Sequence, residues 1–275
     1  MTAGMTRKRV GTKEVPTSRD LLSHLIDGGV PVADIERDGM IGILAASENS
    51  AITLALSCYF LTAEPQYHSQ LRKALDQAFP DPLGPLSQSA VAAIPLIDGV
   101  LSEALRLGSH FFLPRVTPAE GVEVDGVHVP GDTLVALASY SIQTSPEHFY
   151  PDPMNFRPER WLPNGLGPDT KTNRTALASF SYGALLAHGL SYPRVNTACT
   201  AGQHACMGKT LAYQKMRYVL ARLVLAYDMH FKPGFDVHAF REGIIGKGTP
   251  HLEVPLHMSF QRRPGVHFDD LGDRE

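Results

Sequence analysis

Phe180 to Gln214 reads FSYGALLAHGLSYPRVNTACTAGQHACMGKTLAYQ and carries two of the chain's three cysteines, Cys199 and Cys206. Cys206 stands two residues before Gly208 and just ahead of a run, from about Lys209 to Tyr227, whose length and apolar spacing predict a long helix. The partial positive charge at a helix N-terminus favours a thiolate over a thiol. Cys199 is followed by Thr200, Ala201 and Gly202, so its glycine falls three positions on, and no long helix begins there. An isolated cysteine is by default a buried inert thiol, and of these two only Cys206 has a chemical setting.

Upstream of this helix the pattern is mostly helical. Ser18 can cap a short helix carrying Leu21, Leu22, Leu25 and Ile26 and stopped by Gly28. Met40 to Leu61 is an apolar run of helical length. It is long enough to span a bilayer, but Glu48 and Asn49 at its centre favour a buried helix of a soluble protein. Pro65 suits a first helical turn, after which Leu71, Leu75 and Phe79 recur every four residues until Pro80. Ile94 to Leu107 reads as a fourth helix with Gly108 as its stop.

The period then changes. VEVDGVHV alternates around Asp125-Gly126, a two-residue hairpin signal, and TLVALAS is a run of strand length. Pro146, Pro151, Pro153, Pro158 and Pro163 lie too close together for a helix or a central strand. HLEVPLHMSF alternates like a terminal strand, with Pro255 suiting an edge. The expected class is mainly α with small β-sheets.

Composition bounds the function. The chain has 275 residues, 43% of them hydrophobic, and a formal charge of −3, which gives no basic field for a nucleic-acid backbone and argues against such a partner. Three cysteines cannot form a fully paired disulfide framework and are read as thiols. The first seventeen residues are basic and polar without an apolar core, so they read as a flexible lead-in and not as a secretory signal. Residues 264–275 read as a flexible tail.

Three motifs carry chemistry. Glu103-Ala-Leu-Arg106 puts opposite charges on one helical face, which taken alone is an ordinary surface pair. FRPERW, Phe156 to Trp161, sets Arg160 among aromatic anchors. The third is His204-Ala205-Cys206-Met207-Gly208. In this order and spacing they resemble the cytochrome P450 family, whose signatures are E-x-x-R on one helix, P-E-R-[FW] in a following meander, and F-x-x-G-x-[RH]-x-C-x-G leading into the next helix. The resemblance runs from about Arg19 to Arg263.

That resemblance implies a P450-like fold and a haem cofactor whose iron takes the Cys206 thiolate as axial ligand. It implies that Glu103, Arg106 and Arg160 form a structural ion-pair network, and that Arg115 and His204 pair with haem propionates. In AASENS, Ala45 and Glu48 match the family's oxygen-activation segment, but Ala46 replaces its glycine and Asn49 its hydroxyl residue. Glu48 and Asn49 are thus the candidate proton-delivery pair, with Ser50 able to assist. The activity implied is insertion of one oxygen atom from dioxygen into an apolar small molecule, with electrons from an NADPH-dependent reductase and a tailoring role in secondary metabolism.

Two departures stand out. Family members are longer and often anchored in the endoplasmic-reticulum membrane, whereas this chain begins shortly before the oxygen-binding helix. It is therefore expected to be one P450-type haem domain lacking its N-terminal part, and a catalytically silent fragment is the alternative function. A zinc protein using His188, Cys199, His204 and Cys206 is a third reading, although C-x4-H-x-C matches no closed structural zinc pattern. Secondly, Gly183 and Cys206 stand 23 positions apart where the family has four. Removing Ala184 to Gly202 gives FSYGQHACMG, which fits the motif at every fixed position. An unspliced intron read in frame explains these nineteen residues, and a genuine long loop is the competing view. Sequencing of the mature transcript across Gly183 and Gln203 is expected to show the segment removed; a message that retains it establishes the loop.

Overall fold

In a computed structural model of the protein, the residues described are 4, 21–108, 114–181, 206–247 and 249–266. The chain divides into two compact units, Met1–Ala51 and Ile52–Glu275. The predicted lead-in apart from Gly4, the capping Ser18 and the segment 184–202 lie outside the described residues.

The first unit contains helix α1, Leu21–Asp27, and the opening part of α2, Val32–Ala63. Helix α1 ends at the expected place, where Gly29 adopts φ +71°. Helix α2 begins eight residues before the predicted start, because Pro31 accepts the first-turn bonds of Asp34 and Ile35. Its expected burial holds only for part of its length. Leu56 to Leu61 are buried, whereas Met40, Ile41, Ile43 and Leu44 are each about half exposed. By length and composition α2 could cross a membrane.

The core of the second unit is formed by the end of α2 together with helices α3, Pro65–Ala78, α4, Gln88–Ala92, α5, Pro95–Gly108, and, further along the chain, α7, Lys209–Ala226. Leu71 and Leu75 of α3, Ile97, Leu101 and Ala104 of α5, and Leu220, Val224 and Leu225 of α7 form one core with Leu56, Phe60 and Leu61. Arg217 of α7 clamps Asp98 of α5 bidentately at 2.6 and 2.7 Å. Sequence periodicity does not reveal α4, because five residues are too few to show a period; Ser87 caps it.

Gly108 is the last residue of α5, as expected, and it also packs: a Cβ there would come within 2.0 Å of Leu56 Cδ1, so glycine is required by close packing. Between α5 and α7 the sheets are all two-stranded and antiparallel. Strands β2, Val122–Val124, and β3, Val127–Val129, form the predicted hairpin, with Asp125 at φ 51° and Gly126 at φ 76° as a two-residue turn requires.

Two strand predictions need correction. Of TLVALAS only Leu134–Val135 is a strand, β4, because its partner β1, Arg115–Val116, is equally short. The chain then enters the short helix α6, Ser139–Gln143. HLEVPLHMSF is split: Thr249–Leu252 pairs with Ile244–Lys247, and Met258–Arg262 pairs with Tyr227–Phe231. Pro255 lies between the two pairings, where it has no ladder bond to donate. Mainly helical with small antiparallel sheets, the architecture has the class expected.

The proline-rich segment packs on α5 through Gly99. A Cβ there would stand 2.7 Å from the backbone oxygen of Pro158, which opens the tight turn Pro158–Trp161. Gly99→Ala is therefore expected to cost about 1–3 kcal/mol by overpacking, read as a lower urea midpoint; a wild-type midpoint would show that the turn can withdraw freely.

Candidate functional site

The centre of the second unit is a carboxylate with no exposure. Glu103, Arg106 and Arg160 are 0–1% exposed. Glu103 Oε1 accepts from Arg106 Nη2 at 2.8 Å, from the Arg157 backbone N–H at 3.0 Å and from Arg160 Nε at 3.3 Å. Its Oε2 accepts from Arg106 Nε and from Trp161 Nε1, both at 2.8 Å. One buried negative charge thus faces two positive ones. Burial, the largest influence, pulls the Arg160 pKa down, and Glu103 opposes that pull.

Backbone carbonyls offset the remaining positive charge. Arg106 donates to the oxygens of Gln143 at 2.7 Å, Pro153 at 2.5 Å and Asn155 at 3.3 Å, and it lies over the Phe149 ring at 4.8 Å. Arg160 donates to the oxygens of Pro151 and Asp152. The prolines suit this arrangement, since they add carbonyl acceptors without N–H donors that would have to be satisfied as well.

A second strand of contacts leads from α5 to the cysteine. Gln143, fully buried, donates through Nε2 to the Arg106 carbonyl at 3.1 Å and accepts from the Ala178 N–H at 2.9 Å. Ala178 opens the turn that ends at Phe180, whose carbonyl accepts the Cys206 N–H at 2.9 Å. Gln143 and Phe149 are members of this assembly that motif reading does not single out, and Trp161 reads in the sequence only as an aromatic anchor, not as a donor to Glu103. Their contacts with α5 join residues dozens of positions apart, which local spacing does not record.

Cys206 is exposed and stands at the start of α7. Around it Met207 and Leu211 are also exposed, at 94% and 61%. A Cβ on Gly208 would meet nothing within 4 Å except the Cys206 sulfur at 3.7 Å. Cys58, by contrast, is buried, and burial pushes its thiol up to about 12. Arg115 is exposed on β1. His204, with Cys199 and His188, lies outside the described residues, and among the described residues no cluster of three His, Cys, Asp or Glu side chains is placed to hold a metal.

Glu48 and Asn49 belong to the first unit, where Glu48 is exposed. Asn49 Nδ2 donates to the Ala45 carbonyl at 3.1 Å and Ser50 Oγ to that of Ala46 at 2.9 Å, so both polar groups bond back along an unbroken helix.

Comparison with known proteins follows the same residues. A family model described as Cytochrome P450 matches residues 12–255. The chain is 32% identical to the cytochrome P450 monooxygenase eupD of Phoma sp, over 83% of this chain and 72% of that protein. It is also 32% identical to the cytochrome P450 monooxygenase lnbC of Aspergillus flavus, over 88% of this chain and 44% of the relative. With the Tryprostatin B 6-hydroxylase of Neosartorya fischeri it shares 30% identity, over 84% and 38%. The chain thus spans less than half the length of the last two.

Removing one partner of a buried, hydrogen-bonded ion pair leaves the others uncompensated. Glu103→Gln is expected to lower unfolding free energy by about 3–5 kcal/mol, measured by urea denaturation. Wild-type stability in that variant would mean that the carbonyls alone hold the two guanidiniums.

Proposed function

The chain belongs to the cytochrome P450 family, and from that premise we propose that it carries the thiolate side of a haem site in a monooxygenase that inserts one oxygen atom from dioxygen into an apolar small molecule. The observation that carries this reading is the setting of Cys206: an exposed sulfur at the head of α7, its backbone N–H tied to Phe180, with open space over Gly208 and the apolar Met207 and Leu211 beside it. Those residues fit a flat, apolar group that covers the sulfur. A side chain at position 208 would stand between them.

In this reading the Cys206 thiolate would hold the haem iron, and Arg115 and His204 would supply cationic partners for its propionates. Haem, when bound, supplies dioxygen activation, with electrons from an NADPH-dependent reductase. The chain's own contribution is to hold a thiolate in one orientation and to exclude water around it. Glu48 and Asn49 are assigned to proton delivery on the oxygen-binding helix. Glu103, Arg106 and Arg160 are structural. Two relatives are named Tryprostatin B 6-hydroxylase, and a tailoring hydroxylation in secondary metabolism is the role proposed here.

One observation favours a second reading, a catalytically silent protein. The Asn49 amide bonds back to Ala45, which leaves it poorly placed to pass a proton. Turnover of a candidate apolar substrate with a reductase, compared between wild type and Asn49→Thr, separates the two; activity that appears only in the variant supports silence.

Ligand identity is tested by the reduced, CO-bound absorption spectrum together with metal analysis. Cys206→Ala is expected to abolish the far-red-shifted Soret band of thiolate ligation, whereas Cys199→Ala leaves it intact. A thiolate band that survives loss of Cys206, or bound zinc in place of iron, overturns the assignment.

A further inference from the structure

We infer that Gln143 is a positioning residue for Cys206, linking the buried ion-pair network to the cysteine through both ends of its side-chain amide. The inference rests on the haem-ligand reading of Cys206 for its functional meaning, while the link itself is a property of the chain alone.

A buried primary amide has two donors and an acceptor to satisfy, and leaving them unpaired is costly. Gln143 meets this demand by bridging two segments. Its Nε2 donates to the Arg106 carbonyl at 3.1 Å, at the C-terminal end of α5, and its backbone oxygen accepts from Arg106 Nη1 at 2.7 Å. Residue 143 is thereby fixed to Arg106 in both directions. On the opposite side its Oε1 accepts from the Ala178 N–H at 2.9 Å and from Ser179 Oγ at 3.2 Å. Ser179 Oγ also lies 3.4 Å from the Leu105 carbonyl, so the turn is referenced to α5 a second time.

That turn ends in the carbonyl that holds the cysteine. Phe180 O accepts the Cys206 N–H at 2.9 Å, and the Cys206 carbonyl accepts from the Lys209 N–H at 3.3 Å. Both backbone polar groups of Cys206 are therefore engaged, one by the Phe180 turn and one by the first turn of α7. The Phe180 ring lies 5.4 Å from that of Tyr213, whose hydroxyl is 3.1 Å from Ser102 Oγ on α5. Tyr213 steadies the ring of Phe180, and Gln143 sets where the turn begins. With the Gln143 acceptor removed, Ala178 N–H is left buried without it, and the turn is free to shift toward another acceptor, taking Phe180 O with it.

The link is tested in the full-length chain with Gln143→Met, which keeps length and bulk but removes both amide functions, and Gln143→Glu, which keeps the acceptor. Amide hydrogen exchange is followed at Ala178, at Cys206 and across Leu220–Leu225. Gln143→Met is expected to speed exchange at Ala178 and Cys206 at least tenfold while Leu220–Leu225 stays within twofold of wild type. Gln143→Glu retains protection at both positions, since a carboxylate there can still accept from Ala178 and sits beside a cluster with excess positive charge. Unchanged exchange at Cys206 in Gln143→Met overturns the proposal. So does an equal acceleration across Leu220–Leu225, which would reduce Gln143 to a general stabiliser.

A second readout uses haem-loaded protein. At equal haem content, Gln143→Met is expected to lower the thiolate-type fraction of the reduced CO spectrum at least threefold, with Gln143→Glu restoring it; an unchanged fraction overturns the proposal. Wild type without any thiolate band would overturn the haem reading and the role of Gln143 in ligation together, whereas the exchange experiment, done without haem, judges the link to Cys206 independently.

Discussion

The Glu103 carboxylate is shielded from water and receives five hydrogen bonds from four residues, three of them distant in sequence. A desolvated charge of this kind is tolerable only when its oxygens are fully paired. Two guanidiniums do more than neutralise it, and the surplus positive charge is met by carbonyl dipoles from Gln143, Pro151, Asp152, Pro153 and Asn155. The proline-rich segment has no regular hydrogen-bond ladder over these residues. Its path is set by the requirement to bring those oxygens to Arg106 and Arg160. An ion-pair network of this type contributes less by net energy than by specifying one arrangement of chain.

From that fixed point the geometry of the cysteine follows by short steps. Helix α5 carries Glu103 and Arg106, Gln143 is fastened to Arg106, the Ala178–Phe180 turn is fastened to Gln143, and Cys206 is fastened to Phe180. Each step uses a backbone group or a side chain that burial and hydrogen bonds at its end hold fixed, so little rotamer freedom enters between the network and the Cys206 backbone. Functional groups need placement within about 0.5 Å to work, and a chain of hydrogen bonds rooted in a buried network suits that demand better than an unanchored loop could. Cys58 shows the other fate of a thiol: packed in the core, with its ionisation driven up by burial.

Much of this was legible in the sequence, and what was not has a common physical origin. The i, i+3 spacing of Glu103 and Arg106 marks one helical face, and the Asp125-Gly126 pair announces its hairpin through two positive φ angles. Periodicity does not say whether a face meets water or another charge, so the pair reads as a surface bridge until Arg160 is brought to it. Gly108 reads as a stop because glycine commonly ends helices, and α5 does end there; only the approach of Leu56 shows that it also packs. Gln143 carries no motif at all. Its importance lies in partners 35 and 37 positions away, and a single sequence records nothing of such pairings.

The segment between Phe180 and Cys206 can be weighed in the same terms. Those two residues are 26 positions apart, yet the carbonyl of one accepts the N–H of the other at 2.9 Å. Without Ala184 to Gly202 the same closure would span six intervening residues instead of 25. That is about two doublings of loop length, at about 0.6 kcal/mol each. The anchors on both sides outweigh this. Gln143 holds the Phe180 turn, helix α7 holds Cys206, and leaving a buried donor such as the Ala178 N–H unsatisfied costs about 1–3 kcal/mol on its own. Placement of the sulfur is thus governed by its anchors more than by the length of chain between them. An in-frame insertion and a Cys206 backbone held in place are therefore compatible, and whether the nineteen residues belong to the mature protein is a matter for its transcript and not for its stability.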